Sequence, residues 1–233
     1  MFIHTTNILI NNNGGCVKSE IPEDRPFFFA GTKKKIFESS IMLFAKKGYE
    51  NVSMIDIASM VDIRQSAVYN HFKSKQEILD TIYEFFYHYT ISNRAGKKGL
   101  RSLLETGSAF DIVTKGFTYE YEAGVIEQMS DAAKIVMQRA ATDKSAADLL
   151  KTLLLEEGIR YVEEGLDMGV EIGRFASFDT HTVAVLINCV RLNMHLWWLI
   201  GTPEDEYAKR LADEFAMYEL ITALIPDLKP PNR

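Results

Sequence analysis

From Thr32 onward, apolar residues recur at three- and four-residue spacings, and the alternation of a strand never persists. Proline is absent between Pro26 and Pro203. The pattern predicts an all-α protein. A first helix is expected over 32–47, with Ile36, Ser40, Leu43 and Phe44 on one face and Gly48 as its stop. Ser53-Met-Ile-Asp56 is close to a capping box and starts a short second helix that ends near Val61. A third helix begins around Arg64 and must end before Ser74. There Ser74-Lys-Gln-Glu77 is a full capping box, opening a long fourth helix that runs through Phe85 and Phe86 to about Ser92.

Two short helices joined by a tight turn and braced by another make a helix-turn-helix arrangement. On the third helix Val68 and Phe72 fall on one side, while Gln65, Ser66, Tyr69 and Asn70 gather on the other. Amide, hydroxyl and phenol groups suit base edges and phosphate oxygens. A merely polar surface on a small bundle would show the same pattern, and spacing alone does not separate the two. Gln65 and Asn70 carry the donor–acceptor pair that reads adenine. Tyr69, His71 and Lys75 are of types that hold phosphates, and Ser53 with the first amides of the second helix offers a further phosphate site.

Beyond the fourth helix two longer seams appear. Val183, Ile187, Val190, Met194 and Trp197 recur at spacings of 4, 3, 4 and 3, and Ala208, Leu211, Phe215, Tyr218, Thr222 and Ile225 at 3, 4, 3, 4 and 3. Helices in bundles bury such seams. The first also carries Val185, Leu186, Leu192, Leu196 and Leu199 on its other sides, so it needs more than one apolar neighbour. Packing on its own chain and on a partner would supply both; a single-chain bundle is the alternative.

Between the fourth helix and these seams, glycines at 96, 99, 107, 116 and 124 divide the chain into short pieces that suit the wall of a pocket. Phe110, Phe117, Tyr121, Met137, Tyr161 and Met168 are its candidate lining, although most such residues are plain core. Asn188, Arg191 and His195 share one helical face. They suit a polar or anionic ligand, against the plainer reading of a solvated or interface stripe.

Composition sharpens the picture in one place. The chain has 233 residues, 47% of them hydrophobic, and a net charge of −6, which argues against general affinity for a polyanion. The charge is uneven, however. Residues 32–75 carry eight bases and four acids, a net +4, so the remainder carries −10. A basic head on an acidic body makes local DNA contact feasible.

Cys16 and Cys189 fit no metal-ligand spacing and suit reduced thiols in the cytoplasm. The N-terminal residues lack a basic leader, and no apolar run is long enough to span a membrane. No histidine pair at metal spacing, phosphate loop or nucleophile motif occurs, so neither an enzyme nor a cofactor is expected. The expected organisation is a weakly structured arm over 1–31, its end tacked down by Phe27–Phe29, a helix-turn-helix head over 32–78, a helical body over 79–226 whose seams suit dimerisation, and a tail over 227–233.

Residues 36–75 resemble the DNA-binding domain of the TetR (tetracycline repressor-like) family of transcriptional regulators. The marks are Leu43-Phe44, Gly48-Tyr49, Ser53, Ile57-Ala58 and Tyr69-x-His71-Phe72-x-x-Lys75. The resemblance implies that Gln65, Ser66 and Asn70 face the groove and that Ser53, Tyr69, His71 and Lys75 anchor phosphates. It further implies a body that dimerises and binds an unknown small effector, whose binding tilts the fourth helix and releases a two-fold symmetric operator of double-stranded DNA. The rival expectation is a helical small-molecule-binding protein without DNA-binding activity.

Two positions depart from the family pattern. Asp62 stands where glycine is frequent, so an aspartate must adopt a left-handed or bridge conformation. Arg64 replaces a Ser or Thr cap with a long cation at the groove edge.

Overall fold

A computed structural model describes residues 29–92, 96–107, 110, 125–199 and 204–226, and every regular element among them is a helix. Helix α1 (Gly31–Lys47) ends at Gly48, whose φ of 81° lies in the left-handed region that glycine tolerates. A single 3₁₀ turn (Tyr49–Asn51) leads to α2 (Met54–Met60), and α3 (Gln65–Tyr69) and α4 (Lys75–Ser92) follow. The body comprises α5 (Lys97–Thr106), α6 (Val125–Arg139), α7 (Lys144–Leu150), a π-helical turn (Lys151–Glu156), α8 (Glu157–Glu171), α9 (Thr180–Leu199) and α10 (Glu204–Thr222). Gly99 lies inside α5, so it does not divide the chain as expected.

Two apolar cores organise these helices. The first joins α1–α4 to α6 and α7 and includes Ile36, Phe44, Ile57, Val68, Phe72, Leu79, Ile135 and Val136. The head is therefore not packed by itself: α6 lies along α1, and Gln128 donates to Glu38 at 2.9 Å across that contact. The second core joins α5, α8, α9 and α10 through Leu104, Leu166, Phe175, Val183, Ile187, Tyr218 and Ile225. Helix α8 approaches its neighbours closely because Gly158, Gly165 and Gly169 are buried on it. A Cβ at Gly169 would lie 2.4 Å from the Phe175 ring.

This packing corrects the expected dimer seam at three positions. Val183, Ile187 and Tyr218 are buried in the chain's own core and have no surface to offer a partner, while Val190 is half-buried against it. Phe215 is exposed and stacks at 6.0 Å on Phe110. The side chains of Met194, Trp197 and Leu211 lie outside the described residues.

Asn188 is also corrected. It is neither a ligand contact nor a solvated residue but buried, and it donates to the Leu154 carbonyl at 2.8 Å. That carbonyl belongs to the π turn, where the regular helical ladder is interrupted.

Candidate nucleic-acid interface

The interface is built from its turn upward. Val61 closes α2, and Asp62 takes φ = 57°. The Asp62 N–H donates to the Ser59 carbonyl at 3.3 Å and the Ile63 N–H to the Ala58 carbonyl at 3.0 Å. These two bonds form a Schellman motif with aspartate in the left-handed position. The turn therefore keeps the geometry of a glycine turn, as the sequence requires, at the cost of a left-handed non-glycine residue.

Arg64 is the N-cap of α3 and makes no side-chain cap. Val68 and Phe72, 0% and 2% exposed, fix the segment in the first core. Burying each contributes about 1.5–3 kcal/mol. The residues between and before them are turned outward: Arg64, Gln65, Ser66, Tyr69 and Asn70 are exposed, and His71 is half-buried. Among the described residues, none of these six side chains makes a hydrogen bond or ion pair. An exposed run of amide, hydroxyl, phenol, imidazole and guanidinium groups with no internal partner has its full hydrogen-bonding capacity available to a ligand.

Two expected phosphate anchors are already committed within the protein. Ser53 forms both arms of a capping box: its hydroxyl accepts from the Asp56 N–H at 3.2 Å, and its own N–H donates to Asp56 Oδ2 at 2.7 Å. The same hydroxyl donates to that carboxylate. The Ser53 hydrogen bond holds the Asp56 carboxyl below the usual range, so a negative charge sits where a phosphate was expected.

Lys75 Nζ donates to the carbonyls of Tyr49 and Val52, each at 2.9 Å, and lies 4.1 Å from the centre of the Tyr49 ring. It clasps the α1–α2 connection to the start of α4, leaving one N–H of the ammonium uncommitted. The second capping box is also rearranged. Ser74 Oγ accepts from the Glu77 N–H at 3.0 Å, but Glu77 reaches the N–H of Lys73 rather than that of Ser74.

A polar junction that sequence reasoning missed ties this head to the body. Arg139, at the end of α6, pairs with Glu50 of the head and with Asp143, and its guanidinium lies 4.9 Å from the Tyr49 ring centre. Asp143 caps α7 by accepting from the N–H groups of Ser145 and Ala146. Burial pushes the Asp143 carboxyl up, but these backbone bonds, with Arg139 and Tyr83, hold it below the usual range. Tyr83 of α4 donates to Asp143 at 3.2 Å, and burial raises its phenol above the ordinary value. Glu50 lies 89 residues from Arg139 and Tyr83 lies 60 from Asp143, so no local pattern announces these two contacts.

Of the eight expected effector residues, five have described side chains. Phe110 and Met168 pack against the second core. Met137 and Tyr161 are half-buried on α6 and α8, and Arg191 is half-buried on α9. Phe117, Tyr121 and the side chain of His195 lie outside the described residues. A shallow dent between α9 and α10 is lined by Val190, Asn193, Arg210, Asp213, Glu214 and Met217, none of which was expected to line a ligand site. No group of three or more potential ligands for a metal ion occurs among the described residues.

Residues 36–82 match the family described as bacterial regulatory proteins, tetR family. The head is therefore similar to the DNA-binding part of that family. Over 48 residues it is 42% identical to the biofilm operon icaADBC HTH-type negative transcriptional regulator IcaR of Staphylococcus aureus (strain Newman). That similarity covers 21% of this chain and 26% of IcaR, so the chain spans about a quarter of the relative it matches.

The fold likeness extends into the body. A Mesorhizobium loti structure described as a TetR-family transcriptional regulator superposes with a TM-score of 0.59 at 14% identity, covering 83% of this chain and 96% of that one. A transcriptional regulator from Saccharomonospora viridis in complex with choline gives 0.57 at 16% identity, covering 84% and 97%. The helical head and body thus share the fold of these structures. Among the described residues, no helix is long and apolar enough to cross a membrane.

Proposed function

We propose that this chain is a cytoplasmic transcriptional regulator that binds a two-fold symmetric operator as a homodimer and represses until a small effector releases it. The observation that carries the reading is the outward face of the Arg64–His71 segment, whose side chains have no partner among the described residues while Val68 and Phe72 fix the helix beneath. Gln65, Ser66 and Asn70 are assigned to base edges, with Tyr69 and His71 on phosphates and Arg64 at the groove edge. Repression is supported by the similarity of the head to IcaR, whose name describes a negative regulator. A small effector is supported by the choline complex of a protein with the same fold.

For the dimer, the exposed stripes of the last two helices replace the seam expected from sequence. Leu186, Cys189, Asn193 and Leu196 recur along α9, Met217 and Leu220 along α10 and Leu224 just beyond its end, all exposed. Two copies joined through these faces would bury them and set the two heads about one DNA turn apart. Release then requires only that the effector favour a different spacing of the heads, a coupling of about 1–3 kcal/mol.

The test is a gel shift of the full chain on DNA upstream of its own gene at low salt, with mixed-sequence competitor. A shift that survives the competitor supports the reading. No shift at any salt overturns it in favour of a helical small-molecule-binding protein.

A further inference from the structure

Lys33, Lys34 and Lys35 open α1, and the first turn contains no acid. The three are not equivalent. Lys34 lies 3.8 Å from Glu38 on the next turn. Lys33 makes no hydrogen bond or ion pair among the described residues. Its ammonium instead lies over two aromatic rings, 4.7 Å from the centre of Phe29 and 5.2 Å from that of Phe72. Phe29 itself meets Phe72 edge-on at 6.3 Å and Phe37 at 5.1 Å. The chain entering α1 is thus clasped to the residue that directly follows the outward Tyr69-Asn70-His71 run. Both Phe29 and Lys33 lie before the residues that match the family, which begin at 36.

A cation held over aromatic faces is attracted to the rings but keeps its full charge, because a ring quadrupole does not neutralise it as a carboxylate would. Holding the long side chain in one place also lowers the entropy lost when it meets an anion. The partial positive charge of a helix N-terminus has the same sign and adds to the local potential.

We infer that Lys33 is a DNA-phosphate contact at the C-terminal edge of the reading helix, and that Phe29 is the positioning residue that holds it there. The inference rests on the DNA-binding reading above. It adds to the head a cation that is not hydrogen-bonded among the described residues, whereas Lys75 spends two of its N–H groups on carbonyls.

The test is a salt series of binding titrations with the full chain and a labelled mixed-sequence duplex, comparing wild type with Lys33→Met, Lys33→Gln and Lys33→Arg. Methionine keeps an apolar stem over the rings and removes the charge; glutamine guards against a folding defect peculiar to methionine. Loss of one phosphate contact lowers the slope of log affinity against log salt by about 0.9 per head. The expected result is that loss in both neutral variants, with an unchanged thermal midpoint, and a wild-type slope in Lys33→Arg. A wild-type slope in the neutral variants, with or without a fall in thermal midpoint, overturns the inference alone. Failure of the wild type to bind any duplex overturns the DNA-binding reading together with it.

Discussion

The ammonium of Lys75 donates to the carbonyl of Val52 at 2.9 Å, joining the first turn of α4 to the residue that precedes the N-cap of α2. With the equal bond to Tyr49, this makes Lys75 a clamp on the head. Charge-assisted bonds of this kind contribute about 1.5–3 kcal/mol each, and removing the donor leaves both carbonyls to find water. Lys75→Met is expected to lower stability by about 2–4 kcal/mol on that scale. Denaturant unfolding measures it; a variant as stable as wild type that loses only DNA affinity would restore Lys75 to a phosphate.

Asp62 carries a left-handed backbone without being glycine. Asp62→Gly is expected to stabilise the head by about 0.5–1 kcal/mol, because relief of the steric cost outweighs the greater freedom of the unfolded chain. A β-branched Asp62→Val should move the thermal midpoint in the opposite direction. Equal midpoints for the three proteins would show that the turn relaxes at no cost.

How much of this was readable from the sequence depends on the range over which each interaction acts. Ser53, Asp56 and Ser74 announce helix starts because a cap needs only residues three positions apart, and Val68 and Phe72 announce the seat of α3 because they share a face. The clamp made by Lys75 is not legible in the sequence because its partners are backbone carbonyls 23 and 26 residues away, which have no sequence signature.

The inward packing of Val183, Ile187 and Tyr218 escapes the sequence for another reason. Helix α9 carries apolar residues on opposite faces, so Val183–Ile187 and Leu186–Leu196 satisfy the same period, and only tertiary packing decides which goes inside. Asn188 looked like a surface residue because the π turn that accepts its hydrogen bond cannot be read from residue spacing.

Gly169 reverses the usual helix preference. Alanine in the middle of a helix is ordinarily favoured over glycine by about 1 kcal/mol. Here its methyl would meet Phe175 at 2.4 Å and Leu104 at 3.0 Å. Gly169→Ala is therefore expected to destabilise the body by about 1–3 kcal/mol, the usual cost of overpacking. Thermal unfolding decides the sign, and a gain in stability would show that α8 is free to move away from its neighbours.

The proposed dimer face differs in accessibility from the seam expected from sequence. Leu220 is 72% exposed, whereas Tyr218 is 5% exposed. Leu220→Asp should yield a folded monomer by sedimentation, with far-ultraviolet circular dichroism unchanged. A dimer of wild-type affinity in that variant would remove the α10 stripe from the interface.

The central claim is that the outward face of α3 and its flanks reads DNA sequence. Binding-site selection from a random duplex library, run on the wild-type chain and on Arg64→Ala, Gln65→Ala and Asn70→Ala, tests it most directly. The account predicts a two-fold symmetric motif with half-sites about one helical turn apart, and a changed base preference in each variant. No enriched motif, or the same motif for all four proteins, would contradict it.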